Sequence, residues 1–110
     1  MAYDRELADR LREVLRGERG LSEKRMFGGV AFLVDDRLAV SASSRGGLLL
    51  RIDPSQSGAL LSDPRVQLFE MRGRPMGGWL HVDAEVVGTD DELRRWVRHG
   101  VAYARSLPPT

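Results

Sequence analysis

The 110-residue chain has no cysteine and no asparagine, a single lysine (Lys24) and a single isoleucine (Ile52). Without cysteine there is no thiol nucleophile, no dithiol redox motif and no thiolate zinc site. A chain free of disulfides suits a reducing compartment, so a cytoplasmic address is expected. No apolar run approaches the roughly 18 residues a membrane helix needs. The start, Met1-Ala2-Tyr3-Asp4-Arg5-Glu6, is polar with no apolar segment behind it, and neither a membrane span nor a secretory leader is read there. A large charge of one sign is also missing: 17 Lys+Arg against 16 Asp+Glu leave +1, far from the basic balance of a protein held to phosphates by bulk charge. Sixteen of those 17 cations are arginine, a bias that matches GC-rich codon usage, so the arginine count says little about function. There is no repeat, low-complexity tract or linker. The length fits one domain, 1–110, and the 42% of hydrophobic residues can supply its core without staples.

Within that frame the hydrophobic pattern is informative. Tyr3, Leu7, Leu11, Val14 and Leu15 fall at helical spacing with charged residues between them, which predicts an amphipathic helix over about residues 4 to 16. Short apolar runs follow at 23–27, 30–34, 38–42 and 48–52, separated by Gly28-Gly29, Asp35-Asp36 and Arg45-Gly46-Gly47; these predict a meander of antiparallel hairpins. The 30–34 run shows no in/out alternation and is expected at the centre of the sheet. Asp53-Pro54 opens a short helix over 55–61, two further strands are expected at 66–71 and 79–82 around a loop at 72–78, and Thr89 with Glu92 makes a capping box for a long last helix. The order is α-β-β-β-β-α-β-β-α. It implies an α+β fold of two layers, about six antiparallel strands with two long helices and one short one.

Residue groupings that carry chemistry are sparse. Gly73 and Gly78 have the spacing of a phosphate loop, yet Trp79-Leu80 stand where Lys and Ser/Thr would be needed. What remains is a glycine-rich connection whose Arg72 and Arg74 are candidates for an anion or a partner's carboxylate, set against a plain solvated loop. Gly28-Gly29 lies between two strands, so a hairpin that needs positive φ explains it better than a dinucleotide site. His81 and His99 are far apart in sequence, and Ser41, Ser43 and Ser44 lie outside any nucleophile elbow, so no metal site or catalytic triad is expected. On the last helix Arg94, Arg98 and Arg105 share one side with Arg95 and His99 beside them. Acids at the start of a helix and arginines after it also complement the helix dipole, so a solvated face is the first reading, with a nucleic-acid backbone or a protein partner as the others.

Arg25-Met26-Phe27-Gly28-Gly29-Val30-Ala31-Phe32, the Asp35-Asp36 turn before Leu38-Ala39-Val40, and the Leu48 to Asp53 run resemble the N-terminal domain of the TfoX/Sxy competence regulators. The likeness continues through Phe69 to Met71, Met76 to Trp79, and the last helix with Trp96 and Tyr103. It implies a two-layer fold of the secretion-chaperone kind, often dimeric, with Arg25, Met26, Phe27, Gly28 and Gly29 as a structural motif and with neither catalytic residues nor a cofactor. The full-length regulators control DNA-uptake genes together with a cyclic-AMP receptor protein, and they carry a C-terminal helical domain that these 110 residues do not include. Arg51 stands where the family often has lysine. The expectation is thus a non-catalytic, cytoplasmic domain acting through contacts with a protein partner whose identity the sequence does not name. The competing class binds nucleic acid or a small anion through Arg72, Arg74, Arg94 and Arg98.

Overall fold

Asp4 starts the first helix by accepting a hydrogen bond from the Leu7 amide at 3.1 Å, and Thr89 starts the last by accepting one from the Glu92 amide at 3.2 Å. The structure, a computed structural model, describes residues 4–26, 28–61, 63–71 and 73–107. In chain order they form α1 (Arg5–Val14), β1 (Leu21–Met26), β2 (Gly29–Val34), β3 (Arg37–Ala42), β4 (Leu48–Arg51), one 3-10 turn (Pro54–Gln56), α2 (Ser57–Leu60), β5 (Val66–Met71), β6 (Arg74–Val82) and α3 (Asp90–Ser106). Both the α+β class and the order of elements are those the sequence predicts. Among the described residues no helix is long and apolar enough to cross a membrane.

The six strands make one antiparallel sheet in the order β1-β2-β3-β4-β6-β5. Strands β1 to β4 form the meander; the chain then crosses by the 3-10 turn and α2 to the far edge, and β6 returns between β4 and β5. Met26 pairs with Gly29 where β1 hands over to β2. Gly28 takes φ +77°, and a Cβ on Gly29 would collide with the Ala42 carbonyl oxygen of β3, so the two glycines are required for different reasons. Of the RMFGG segment, Arg25 and Met26 end β1, while Phe27 lies outside the described residues. Asp35 and Asp36 both have positive φ, 54° and 67°, and close the next hairpin as a type I′ turn between Val34 and Arg37.

Leu7, Leu11 and Leu15 of the first helix region and Leu93, Trp96 and Val97 of α3 share one core with Val30, Phe32, Val40, Leu48, Leu50, Leu80 and Val82 of the sheet. Both long helices thus cover one face. On the opposite face Ala31, Leu33 and Leu38 cluster with Met26 and Trp79. That second cluster explains why β2 reads as apolar throughout, since all six of its residues are buried between two apolar layers. The expected central position is corrected: β2 is interior but lies next to the edge strand β1, and β3 and β4 take the middle.

Phe32 pairs with Val40 and Leu33 with Leu38, so Ala39 is left over as a β-bulge. Its carbonyl turns toward α3 at Gly100, where a Cβ would press on the Ala39 oxygen and lie 3.0 Å from Val40 Cγ1. Glycine there lets the helix and strand backbones touch.

A second correction concerns the expected loop at 72–78. Strand β6 already begins at Arg74, which pairs with Met71, and Pro75 pairs with Glu70. Only Trp79 to Val82 of β6 pair with β4, so the first half of the strand extends past the end of β4 as a two-stranded ribbon with β5. The Gly78 carbonyl accepts from the Ile52 amide at 2.8 Å while Gly78 itself has φ +82°. Glycines read as a loop signal are here a kink within a strand.

Candidate functional site

The charged side chains of the last helix sort into two kinds. Arg105 is tied down, its Nη2 donating to Glu18 Oε1 at 2.6 Å and its Nη1 lying 3.5 Å from Asp35 Oδ2, so it clamps the end of α3 to the α1–β1 connection and the β2–β3 turn. Arg94 stands 3.8 Å from Asp91, and Arg95 stands 3.8 Å from Glu92. Both pairs are exposed and long, and they hold their guanidinium groups weakly. Arg98 has no ion pair or hydrogen bond among the described residues, and it is exposed. The expected stripe is thereby divided, with Arg105 structural and Arg98 presented to solvent.

Arg95, Arg98, His99 and Tyr103 fall at i, i+3, i+4 and i+8 of α3 and so share a face. Opposite them the chain leaves β4 through Asp53, whose Oδ1 accepts from the Ser55 amide and hydroxyl at 2.9 Å each. Those two bonds, the amide first, hold the Asp53 carboxyl below the ordinary carboxylate range. They also fix the 3-10 turn that brings Gln56 alongside. Between the helix face and this turn runs an open groove of about 520 Å³, with Arg95, Arg98, His99 and Tyr103 on one wall and Asp53 and Gln56 on the other. His99 is tilted against Trp96 with ring centroids 5.9 Å apart. Its burial, and secondarily the positive charge of Arg95, push its pKa below the usual 6.5, so at neutral pH it faces the groove as an uncharged imidazole.

Arg51, the last residue of β4, is not among the residues that line this groove but touches one of them, Tyr103. Its Cζ lies 5.6 Å from the Tyr103 ring centroid and 5.5 Å from that of Trp79, its cross-strand neighbour on β6. No carboxylate is paired with it among the described residues. Two aromatic faces therefore hold a half-buried guanidinium whose N–H donors keep their capacity for an anion. A second, smaller groove of about 300 Å³ runs between α1 and α3, with Arg94 and Arg98 at its rim and Val14, Val97 and Val101 inside. Arg98 stands on the ridge between the two.

The other anticipated residues are placed apart. Arg74 is exposed at the start of β6, has no partner among the described residues and does not line the α3 groove; Arg72 lies outside the described residues. Ser41 is buried and donates to the Val30 carbonyl at 3.0 Å, and Ser43 accepts from the Arg45 amide. His81 Nε2 lies 2.7 Å from the Gly46 carbonyl, which braces the β3–β4 turn. Sequence reasoning missed Arg51, Asp53 and Gln56 as site residues. The α3 wall was legible from its spacing, whereas the facing wall comes from a segment about 40 residues earlier and carried no signal of its own.

Comparison with curated proteins and with solved structures found no match. The family comparison is positive over most of the chain: residues 13–104, from the last turn of α1 to the last turn of α3, match the TfoX N-terminal domain, and the chain belongs to that family.

Proposed function

We propose that this TfoX N-terminal domain is a non-catalytic interaction module that docks a partner protein along the outward face of α3, in a regulatory role of the kind the family resemblance implies. The observation that carries the reading is the groove itself. It places weakly paired or unpaired arginines, a neutral histidine and a tyrosine on one rigid helix, opposite a turn fixed by its own hydrogen bonds. Binding surfaces built of arginine and aromatic side chains on a preformed scaffold gather affinity into a few contacts. The α3 face is anchored from below by Leu93, Trp96 and Val97 and clamped at its end by Arg105, so its arginines are presented without a folding step.

The test is affinity capture from native lysate with the wild-type domain and with an Arg95→Glu/Arg98→Glu variant, followed by hydrogen-exchange mapping of the purified complex. The expected result is a partner that protects α3 and the 53–56 turn in the wild type and is lost in the variant. A partner that protects only the far side of the sheet, or that the variant retains in full, contradicts the reading.

A competing reading, nucleic-acid binding through the same arginines, is less well supported. The net charge is +1, Asp90, Asp91 and Glu92 head the same helix, and Asp53 faces the groove.

A further inference from the structure

The α3 groove carries more information than its position, because its charges do not balance. Arg95 and Arg98 line it and Arg51 touches its Tyr103 from outside the lining, while among the described residues Asp53 is the one carboxylate that lines it. Asp53 is already engaged by Ser55 through two hydrogen bonds, and Arg95 shares Glu92 only at 3.8 Å. The surplus is positive and is spread along the helix rather than gathered at one point. From Arg95 to Ser106 the wall is roughly 16 Å long at the helical rise, which equals the span of about five residues of extended chain. Gln56, on the opposite wall, offers both a donor and an acceptor, which is what an extended backbone requires.

Arg51 is the most specific element. Its guanidinium is flanked by Trp79 and Tyr103 rather than by an acid, so its plane is restrained and its donors lie ready without the ordering cost a free arginine would meet.

Resting on the reading of α3 as the docking face, we propose that the partner presents an extended acidic segment, whose carboxylates are received by Arg98 and by Arg51 in its Trp79–Tyr103 bracket while its backbone runs along Gln56. Arg98 supplies the exposed, steering contact, and Arg51 supplies the fixed one beside Tyr103. His99 packs beside the segment without adding to the charge, and Asp53 keeps acidic side chains on the α3 side of the groove.

The direct experiment uses a fluorescein-labelled peptide of five glutamates flanked by glycines, with five glutamines in the same frame as the control, read by fluorescence anisotropy on the whole chain. The glutamate peptide is expected to bind in a salt-sensitive way and the glutamine peptide to bind at least about tenfold more weakly, as loss of charge-assisted hydrogen bonds implies. Arg98→Gln and Arg51→Gln are each expected to weaken binding several-fold. Arg51→Lys keeps the charge but not the planar fork and is expected to fall between wild type and Arg51→Gln, and chemical-shift mapping on the wild type locates the peptide even if an Arg51 variant folds poorly.

Equal binding of the two peptides, or shifts confined to residues away from Arg51, His99 and Tyr103, would overturn the proposal. So would a 20-base-pair duplex that binds more tightly than the glutamate peptide at physiological salt and displaces it. If a captured partner protects α3 while the glutamate peptide fails to bind, the docking face stands and the acidic segment falls; if the partner protects another surface, both fall.

Discussion

Gly100 shows how much a single residue decides here. In a helix, alanine is favoured over glycine by about 1 kcal/mol, so Gly100→Ala on a free surface would stabilise the domain. On α3 the added Cβ meets the bulged Ala39 carbonyl and Val40 Cγ1 at 3.0 Å, and neither is the far end of a flexible side chain. The expected result reverses the propensity: a loss of about 2 kcal/mol, read as a lower melting temperature or denaturant midpoint. A neutral or stabilising outcome would mean that α3 does not lie on the bulge. The sequence placed Gly100 on the apolar face, but the partner that makes it necessary, an unpaired residue inside β3, leaves no mark on hydrophobic pattern.

His99 gives a residue-scale expectation of a different kind. Burial and Arg95 lower its pKa in the folded chain, with Trp96 beside it and Asp53 and Gln56 lining the same groove. The unfolded chain then takes up the proton first, so the contribution of this group to stability is complete above the ordinary 6.5 and declines as pH falls through that value toward the lower folded one. Melting temperatures measured at pH 7.5 and 5.5 are expected to separate more in the wild type than in His99→Gln. Equal separation in the two would remove the burial argument.

Among the elements, α3 was the most legible, because its cap, its apolar face and its polar face each obey a local rule. Thr89→Ala removes the acceptor for the Glu92 amide and is expected to cost about 1 kcal/mol, with no loss of the groove since the helix body is held by Leu93, Trp96 and Val97. An unchanged thermal midpoint would place the helix start elsewhere. Only half of the capping box is realised, since the Glu92 carboxylate lies by Arg95 at 3.8 Å. Strands β1 to β4 were legible for the same local reason, their turns being marked by Gly28-Gly29 and Asp35-Asp36. Strand β6 was half missed because Gly77 and Gly78 read as a loop, whereas the ribbon with β5 tolerates a kinked backbone that a central strand would not. The candidate site was legible along one wall only: Arg95, Arg98, His99 and Tyr103 follow from helical spacing, while Arg51 and Asp53 become part of it through the pairing of β4 with β6 and the turn beyond.

At the scale of the whole molecule, family membership and fold agree: residues 13–104 match the TfoX N-terminal domain, and the two-layer α+β arrangement is the one the resemblance implies. The resemblance also leads us to expect a dimer. Light scattering at micromolar concentration should then give about twice the 12.3 kDa chain mass, and a value near the chain mass would remove that expectation. The proposed working surface is the groove between α3 and the 53–56 turn, and charge reversals at two separate places test it. Partner capture is expected to survive Arg74→Glu, whose side chain stands outside the groove, and to be lost with Arg95→Glu/Arg98→Glu, with both proteins melting close to the wild type. Loss of the partner with Arg74→Glu alone, or its retention in the α3 double reversal, would contradict the account and move the functional surface to the β5–β6 ribbon or the far side of the sheet.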